Sequence, residues 1–230
     1  MKIKEALTGI SETIGGFILW ILFIAAIFGV IYVIRIPFAV VAFPALEALP
    51  EAERIAQEKY PDAGLTSVTA HKYEIIQIDS PDKIETRQTG TVAKPLRDDG
   101  TAQEWYFGFY SSSKKSSLGI YVVKKKLSKE IKGKISVQRE EKDKERQELG
   151  GAIFDLLDWK IDSTKAVEIA KSELGDFSPG KLTLRKQSDG ILIWDAESAK
   201  LKKFATGGDM WGWETIAEIN ANSGKIIRGE

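Results

Sequence analysis

The sequence predicts an α+β protein in which an N-terminal transmembrane helix precedes two units, each a helix with an antiparallel sheet. Three observations predict this fold class. Residues 15–34 form an apolar run without charge. Two helical patterns then recur 114 residues apart, and β-branched or aromatic segments follow each of them. We therefore place the domain boundaries at 1–44 for the anchor, 45–148 for the first unit with a charged linker, and 149–230 for the second unit.

Residues 15–34 are long enough to cross a bilayer, because a helix rises about 1.5 Å per residue and the hydrocarbon core is about 30 Å thick. A buried core helix would show a polar face, and a cleaved signal peptide would have a shorter apolar region and a small-x-small site. Lys2 and Lys4 precede the run and Arg35 follows it, which favours a cytoplasmic N-terminus. The sequence thus predicts a single-pass cell-membrane protein that contacts lipid through residues 15–34 and has an extracytoplasmic C-terminal portion.

Two short amphipathic helices are predicted, one beginning at Pro50 and one at Ser163. Their apolar residues fall at the i, i+3, i+4 and i+8 positions of one helix face. Pro61 ends the first helix and Gly175 ends the second, while Asp162 or Ser163 caps the start of the second. The shared spacing predicts an internal repeat.

Segments rich in β-branched or aromatic residues follow each helix and predict strands. In the first unit they are 65–78, 105–110 and 119–123, and in the second they are 182–184, 191–194, 213–219 and 225–227. Turn-forming Gly, Asp, Asn or Ser residues bound them. We therefore expect about three antiparallel strands in each unit, with the helix laid on one face of the sheet.

The segment from Lys124 to Glu148 is dense in charge, with ten Lys or Arg and six Asp or Glu. One interpretation is a solvated strand edge and linker. The other is a patch that meets anionic lipid headgroups beside the anchor. The mixed signs of the charges favour the linker.

Two segments of the C-terminal half carry a resemblance to a known family. Residues 159–170 read WKIDSTKAVEIA, and residues 213–227 read WETIAEINANSGKII. They resemble PepSY-like domains, which carry a helix of the form a-x-x-i-A and close with a strand of the form y-x-v-x-i-D-a-x-t-G-k-i. Asn220 stands at the position of the family's acidic residue, and Ser223 replaces its Thr. The resemblance covers residues 159–230, and more loosely 50–137.

The PepSY resemblance implies a cystatin-like α+β arrangement outside the cytoplasm, in both of the predicted units. Family members occur in protease propeptides and in membrane-anchored envelope proteins, where a role in inhibiting or modulating peptidases is proposed. The family has no catalytic residues that could be carried over to this chain.

The composition excludes several classes of function. Lys plus Arg and Asp plus Glu are both 33, so the formal net charge is zero. A nucleic-acid partner is therefore not expected, because general nucleic-acid binding needs an excess of basic charge. The chain has no cysteine, so disulfides and thiolate metal sites are excluded. No cofactor is expected.

Catalytic motifs are also missing from the sequence. The single histidine, His71, sits in a β-like stretch beside Lys72, which is typical of an exposed strand residue. Asp98 with Asp99, and Asp155 with Asp158, could be paired carboxylates for acid–base chemistry. Turn chemistry and helix surface explain both pairs without invoking function, so we do not expect an enzyme.

Trp105, Phe107 and Phe109 share one strand face, because side chains at i, i+2 and i+4 point the same way. One interpretation is core packing beneath the first helix. The sharper one is an aromatic groove that binds a peptide strand together with an exposed sheet edge. These three residues are the candidate partner-binding site.

Together these features predict a membrane-anchored, non-catalytic binding or regulatory protein of the cell envelope that modulates a protein such as a peptidase. The alternative is a structural subunit of a membrane protein complex, with the anchor helix as its main contact.

Overall fold

The computed structural model describes residues 20, 21, 23–27, 40–72, 96–140, 153–175, 177–203 and 209–229. The chain divides into two compact units. The first comprises Met1–Ala39 with Lys125–Glu130, and the second comprises Val40–Lys124 with Ile131–Glu230. In the first unit, the backbone N–H of Lys125 donates to the carbonyl of Glu130 at 2.9 Å.

From residue 40 onward, the described residues form two α-helices, one short 3₁₀ helix and nine strands. The helices are α1 (Ala45–Lys59), α2 (Ser163–Leu174) and the 3₁₀ helix Leu156–Asp158. The strands are β1 (Val40–Val41), β2 (Ala63–His71), β3 (Glu104–Ser111), β4 (Ser116–Lys125), β5 (Ile131–Glu140), β6 (Lys181–Lys186), β7 (Leu192–Lys203), β8 (Asp209–Asn220) and β9 (Ile226–Gly229).

All nine strands belong to one sheet, with the order β1-β4-β3-β2-β6-β7-β8-β9 and with β5 also paired to β4. The pairings from β2 to β9 are antiparallel. At the centre, β2 pairs with β6, and Thr69 lies opposite Thr183. This central seam joins strands that come from distant parts of the chain.

The predicted fold class of two helix-plus-sheet units behind a transmembrane helix is therefore wrong. The described residues form mainly one large antiparallel sheet with short helices, not a helix-plus-sheet repeat. The physical reason is the seam between β2 and β6, which hydrogen-bonds the two sets of strands edge to edge. One hydrophobic cluster then runs beneath both helices.

The two helices pack on one face of the sheet through small side chains. The buried residues of α1 are Ala45, Ala48, Ala52 and Ala56, which recur at helical spacing. Alternate residues of the strands face this side, such as Leu182 and Leu184 on β6. Alanine allows the helix backbone to approach the large side chains of the strands closely, so the core is dense.

The N-termini of α1 and α2 meet and share their capping residues. Asp162 caps α2, where its carboxylate accepts from the N–H of Ser163 at 2.7 Å, and the same oxygen accepts from the N–H of Leu46 at 3.0 Å. The Ser163 hydroxyl accepts from the N–H of Ala45 at 3.2 Å. Pro44, the local cap of α1, provides no side-chain hydrogen bond. The first turn of α1 is thus satisfied from the second half of the chain.

These caps explain one error and one success in the predicted helices. The first helix begins at Ala45, not at Pro50, which lies inside it. A proline signals a helix start in sequence, but the distant caps stabilise another turn before it. The predicted second helix is confirmed over Ser163–Leu174, with Asp162 as its cap and Gly175 at its end with φ = 82°.

The predicted membrane anchor over residues 15–34 is not supported. Within the described residues, no helix is both long and apolar enough to cross a membrane. Residues 20, 21 and 23–27 are helical. The rest of 15–34 lies outside the described residues. The single-pass membrane localisation is corrected accordingly.

We expect Asp162→Ala to lower the free energy of unfolding by about 2 kcal/mol, because it uncaps two helices at once. Asp155→Ala is the matched control, since the Asp155 carboxylate caps a single short element by accepting from the N–H of Leu157 at the 3₁₀ helix, and it should cost roughly half as much. Urea unfolding of both variants measures the difference. Equal losses would contradict a shared cap.

Candidate interaction edge

The three predicted partner-binding aromatics lie in the core. Trp105 and Phe107 are 0% exposed and Phe109 is 2% exposed. The indole N–H of Trp105 donates to the carbonyl of Phe43 at 2.8 Å, and its ring meets that of Trp194 at a centroid distance of 6.2 Å. The structure brings the three together on one face of β3, as expected from their spacing. They offer a partner almost no accessible surface.

The first carboxylate pair holds loops together. Asp98 accepts from the ammonium of Lys72 and from the hydroxyl of Ser178, both at 2.6 Å. The hydrogen bond from Lys72 is the main cause of the lowered pKa of Asp98, so this carboxyl stays ionised near neutral pH. Asp99 accepts from the N–H and the hydroxyl of Thr101, at 2.9 and 2.6 Å. Both carboxylates have local structural partners.

The second carboxylate pair and the histidine are also in structural positions. Asp155 caps the 3₁₀ helix, and Asp158 accepts from the side-chain amide of Asn222 at 3.4 Å. The ring of His71 lies 6.1 Å from that of Trp213. Within the described ranges, no group of three or more His, Cys, Asp or Glu residues could hold a metal ion.

A charge network lies on the face of the sheet opposite the helices, which the sequence did not reveal. The guanidinium of Arg185 on β6 pairs with the buried carboxylate of Asp195 on β7 and lies 3.3 Å from Glu218 on β8. Burial is the largest cause of the raised pKa of Asp195, and the neighbouring carboxylates raise it further. The cross-strand register brings these residues together, so their proximity could be found only once the strand pairing was known.

The outer edge of β5 is the feature that sequence reasoning missed, because this segment reads as a charged linker. β5 is ten residues long, and within the described residues it pairs only with β4. Its sequence alternates Ile131, Gly133 and Ile135 with Lys132 and Lys134. This period of two is the signal that could have identified an edge strand.

Helix α1 contacts the edge of β5 around Gly133. The N–H of Gly133 donates to a carboxylate oxygen of Glu51 at 3.1 Å, and Arg54 holds that carboxylate at 2.8 Å. The hydrogen bond from Arg54 is the largest cause of the lowered pKa of Glu51. A Cβ added at Gly133 would lie only 2.4 Å from Ile55 Cδ1, so glycine permits this close approach of α1.

The remaining length of the β5 edge exposes apolar side chains as well as lysines. Ile135 is 36% exposed and Val137 is 47% exposed, while Tyr121 on the adjacent β4 is 42% exposed. Because antiparallel pairs alternate in hydrogen bonding, Ile135 directs its backbone N–H outward like Gly133. We call Ile131–Glu140 with these side chains the β5 edge.

We expect Trp105→Ala to lower the free energy of unfolding by about 4 kcal/mol, because it removes a buried ring and one of the two hydrogen bonds that the carbonyl of Phe43 accepts. The exposed Leu157 is the control, and Leu157→Ala should change stability by less than about 0.5 kcal/mol. Chemical denaturation measures both. A Trp105→Ala variant with unchanged stability would argue against a core role.

We expect Arg185→Met to cost about 2 kcal/mol at neutral pH, because it leaves the buried Asp195 carboxylate without its cation. Since the pKa of Asp195 is raised in the folded state, protonation on lowering the pH removes the buried charge, and the loss should shrink. Lys165→Met, which breaks an exposed ion pair with Glu168, is the control. A loss that grows as the pH falls would contradict this assignment.

In comparisons with protein-family models, with curated proteins and with solved structures, nothing matches this chain. The PepSY-like resemblance of residues 159–230 therefore stays a prediction that rests on those residues alone.

Proposed function

We propose that this chain is a non-catalytic binding module that pairs an extended segment of a partner protein with the β5 edge and thereby modulates that partner. The observation that carries the proposal is the β5 edge itself, a ten-residue strand that pairs on one side only within the described residues. A peptidase is the partner class to which the PepSY-like resemblance points.

Strand addition suits the β5 edge because its backbone can continue the sheet's hydrogen-bond ladder. Residues from Ile131 to Ile135 pair with β4 in regular register, and the register shifts between Ile135 and Val137. In the regular stretch, alternation directs the N–H and C=O groups of every second residue outward. The opposite end of the sheet is less suitable, since β9 has only four residues, Ile226–Gly229. Main-chain pairing of this kind provides affinity, and neighbouring side chains provide specificity.

The β5 edge is also held in place before any partner arrives. β5 pairs with β4 from Ser116 to Lys124, and α1 packs over it through Ile55 at Gly133. A strand fixed on both its inner side and one face loses little conformational entropy when a partner binds. This favours recognition by a preformed edge.

The surroundings of the candidate acid–base groups favour a non-catalytic role. Asp98 is held by Lys72 and Ser178, and Asp155 caps a 3₁₀ helix. A catalytic acid near neutral pH needs a raised pKa, whereas the pKa of Asp98 is lowered.

The test compares two substitutions at one position of the β5 edge. Ile135→Pro removes the outward N–H, whereas Ile135→Thr shortens the side chain and keeps the N–H. The full-length wild-type chain and both variants are used for affinity purification from cells of the source organism, and each recovered peptidase is assayed for inhibition by the purified chain.

We expect the wild type and Ile135→Thr to recover a peptidase in fixed proportion and to change its rate, and Ile135→Pro to lose at least tenfold in affinity. Equal recovery by Ile135→Pro would overturn strand addition. Wild-type chain that recovers no polypeptide, or that cleaves peptides by itself, would overturn the function proposed.

A further inference from the structure

Building on the function proposed above, we infer that the β5 edge selects an acidic partner strand, one that carries Asp or Glu at alternate positions opposite Lys132 and Lys134. The ligand is thus an extended acidic peptide segment, with small or β-branched residues between the carboxylates.

The register of β5 places its two lysines on one face. Lys132 pairs with Val123 and Lys134 pairs with Tyr121, while Gly133 between them pairs with the buried Val122. Because side chains alternate across a strand, the lysines lie on the face opposite α1. Both are exposed. An added strand would therefore present every second side chain to this pair of ammonium groups.

The charged residues of β5 are mainly basic. Ile131–Glu140 contains two lysines and one arginine against one glutamate, although the whole chain is neutral. Opposite charges directly across a strand pair attract, and like charges repel. An acidic strand is complementary to this edge, and a basic strand is not.

A second copy of the chain is a poorer occupant of the same edge. Two β5 strands paired edge to edge would place the lysines of one copy beside those of the other, and edge lysines are a common device against self-pairing. The lysines thus select against the chain's own edge while they favour a carboxylate-bearing one.

Helix α1 already supplies a carboxylate to this edge. Glu51 accepts the outward N–H of Gly133, and the charge of Lys132 contributes to its lowered pKa. A partner strand would replace this carboxylate with its own backbone carbonyl. Removal of Glu51 should therefore tighten binding, because it frees the N–H and removes a negative charge that repels the acidic partner.

The test measures binding of fluorescent ten-residue peptides to the full-length chain by fluorescence polarisation. One peptide alternates Glu with Val, and its control alternates Lys with Val. Two further versions of the acidic peptide are N-methylated, one on its Glu amides and the other on its Val amides. Because alternate N–H groups of a strand point to opposite sides, only one of these two sets faces β5 in a given register. The protein variants are K132E with K134E and, as a matched control elsewhere on the surface, K114E with K225E.

We expect the acidic peptide to bind at least tenfold more tightly than the basic one, and the preference to reverse in K132E with K134E but not in K114E with K225E. One N-methylated set should abolish binding and the other should not, while Glu51→Ala should tighten it severalfold. The inference would be overturned if the acidic and basic peptides bound with equal affinity, or if both N-methylated peptides still bound.

The two proposals can fail separately. If neither peptide binds, or if the basic peptide binds as well as the acidic one, the acidic preference is wrong. In that case strand addition is still supported if Ile135→Pro no longer recovers the peptidase in affinity purification and Ile135→Thr does. If Ile135→Pro also keeps the peptidase, the β5 edge is not the binding surface and both proposals fail.

Discussion

The antiparallel pairing of β2 with β6 is the interaction on which the rest of the structure depends. It joins Val68, Thr69, Ala70 and His71 to Leu184, Thr183, Leu182 and Lys181. Without it, each set of strands would end in an unpaired edge with buried side chains, and a small sheet with one helix buries too little apolar surface to be stable. The seam turns two marginal halves into one core that spans both helices.

Local patterns predicted the local elements of this fold but not their association. The helix at Ser163–Leu174 was found because its cap, apolar spacing and terminal glycine lie within a few residues of one another. The start of α1 was misplaced because its caps, Asp162 and Ser163, lie far away in sequence. The β2–β6 pairing has no local signature at all, so the sequence suggested two sheets where there is one.

The candidate site shows the same limit of sequence reasoning. Alternation correctly placed Trp105, Phe107 and Phe109 on one strand face, but the pattern is the same whether that face meets a helix or a ligand. The structure shows that α1 and the Trp194 ring are part of the packing around it. The β5 edge was overlooked for the opposite reason, since its lysines obscured an alternation that marks an edge strand.

The shared cap between the helices also has a consequence for the order in which the chain can fold during synthesis. Asp162 and Leu46 are separated by 116 residues, so the first turn of α1 lacks its cap until most of the protein has left the ribosome. Likewise, the edge of β2 that pairs with β6 stays uncovered until β6 has been synthesised. Such distant contacts form slowly, so the N-terminal half passes through synthesis with an exposed strand edge, which is a feature that favours aggregation of unfinished chains.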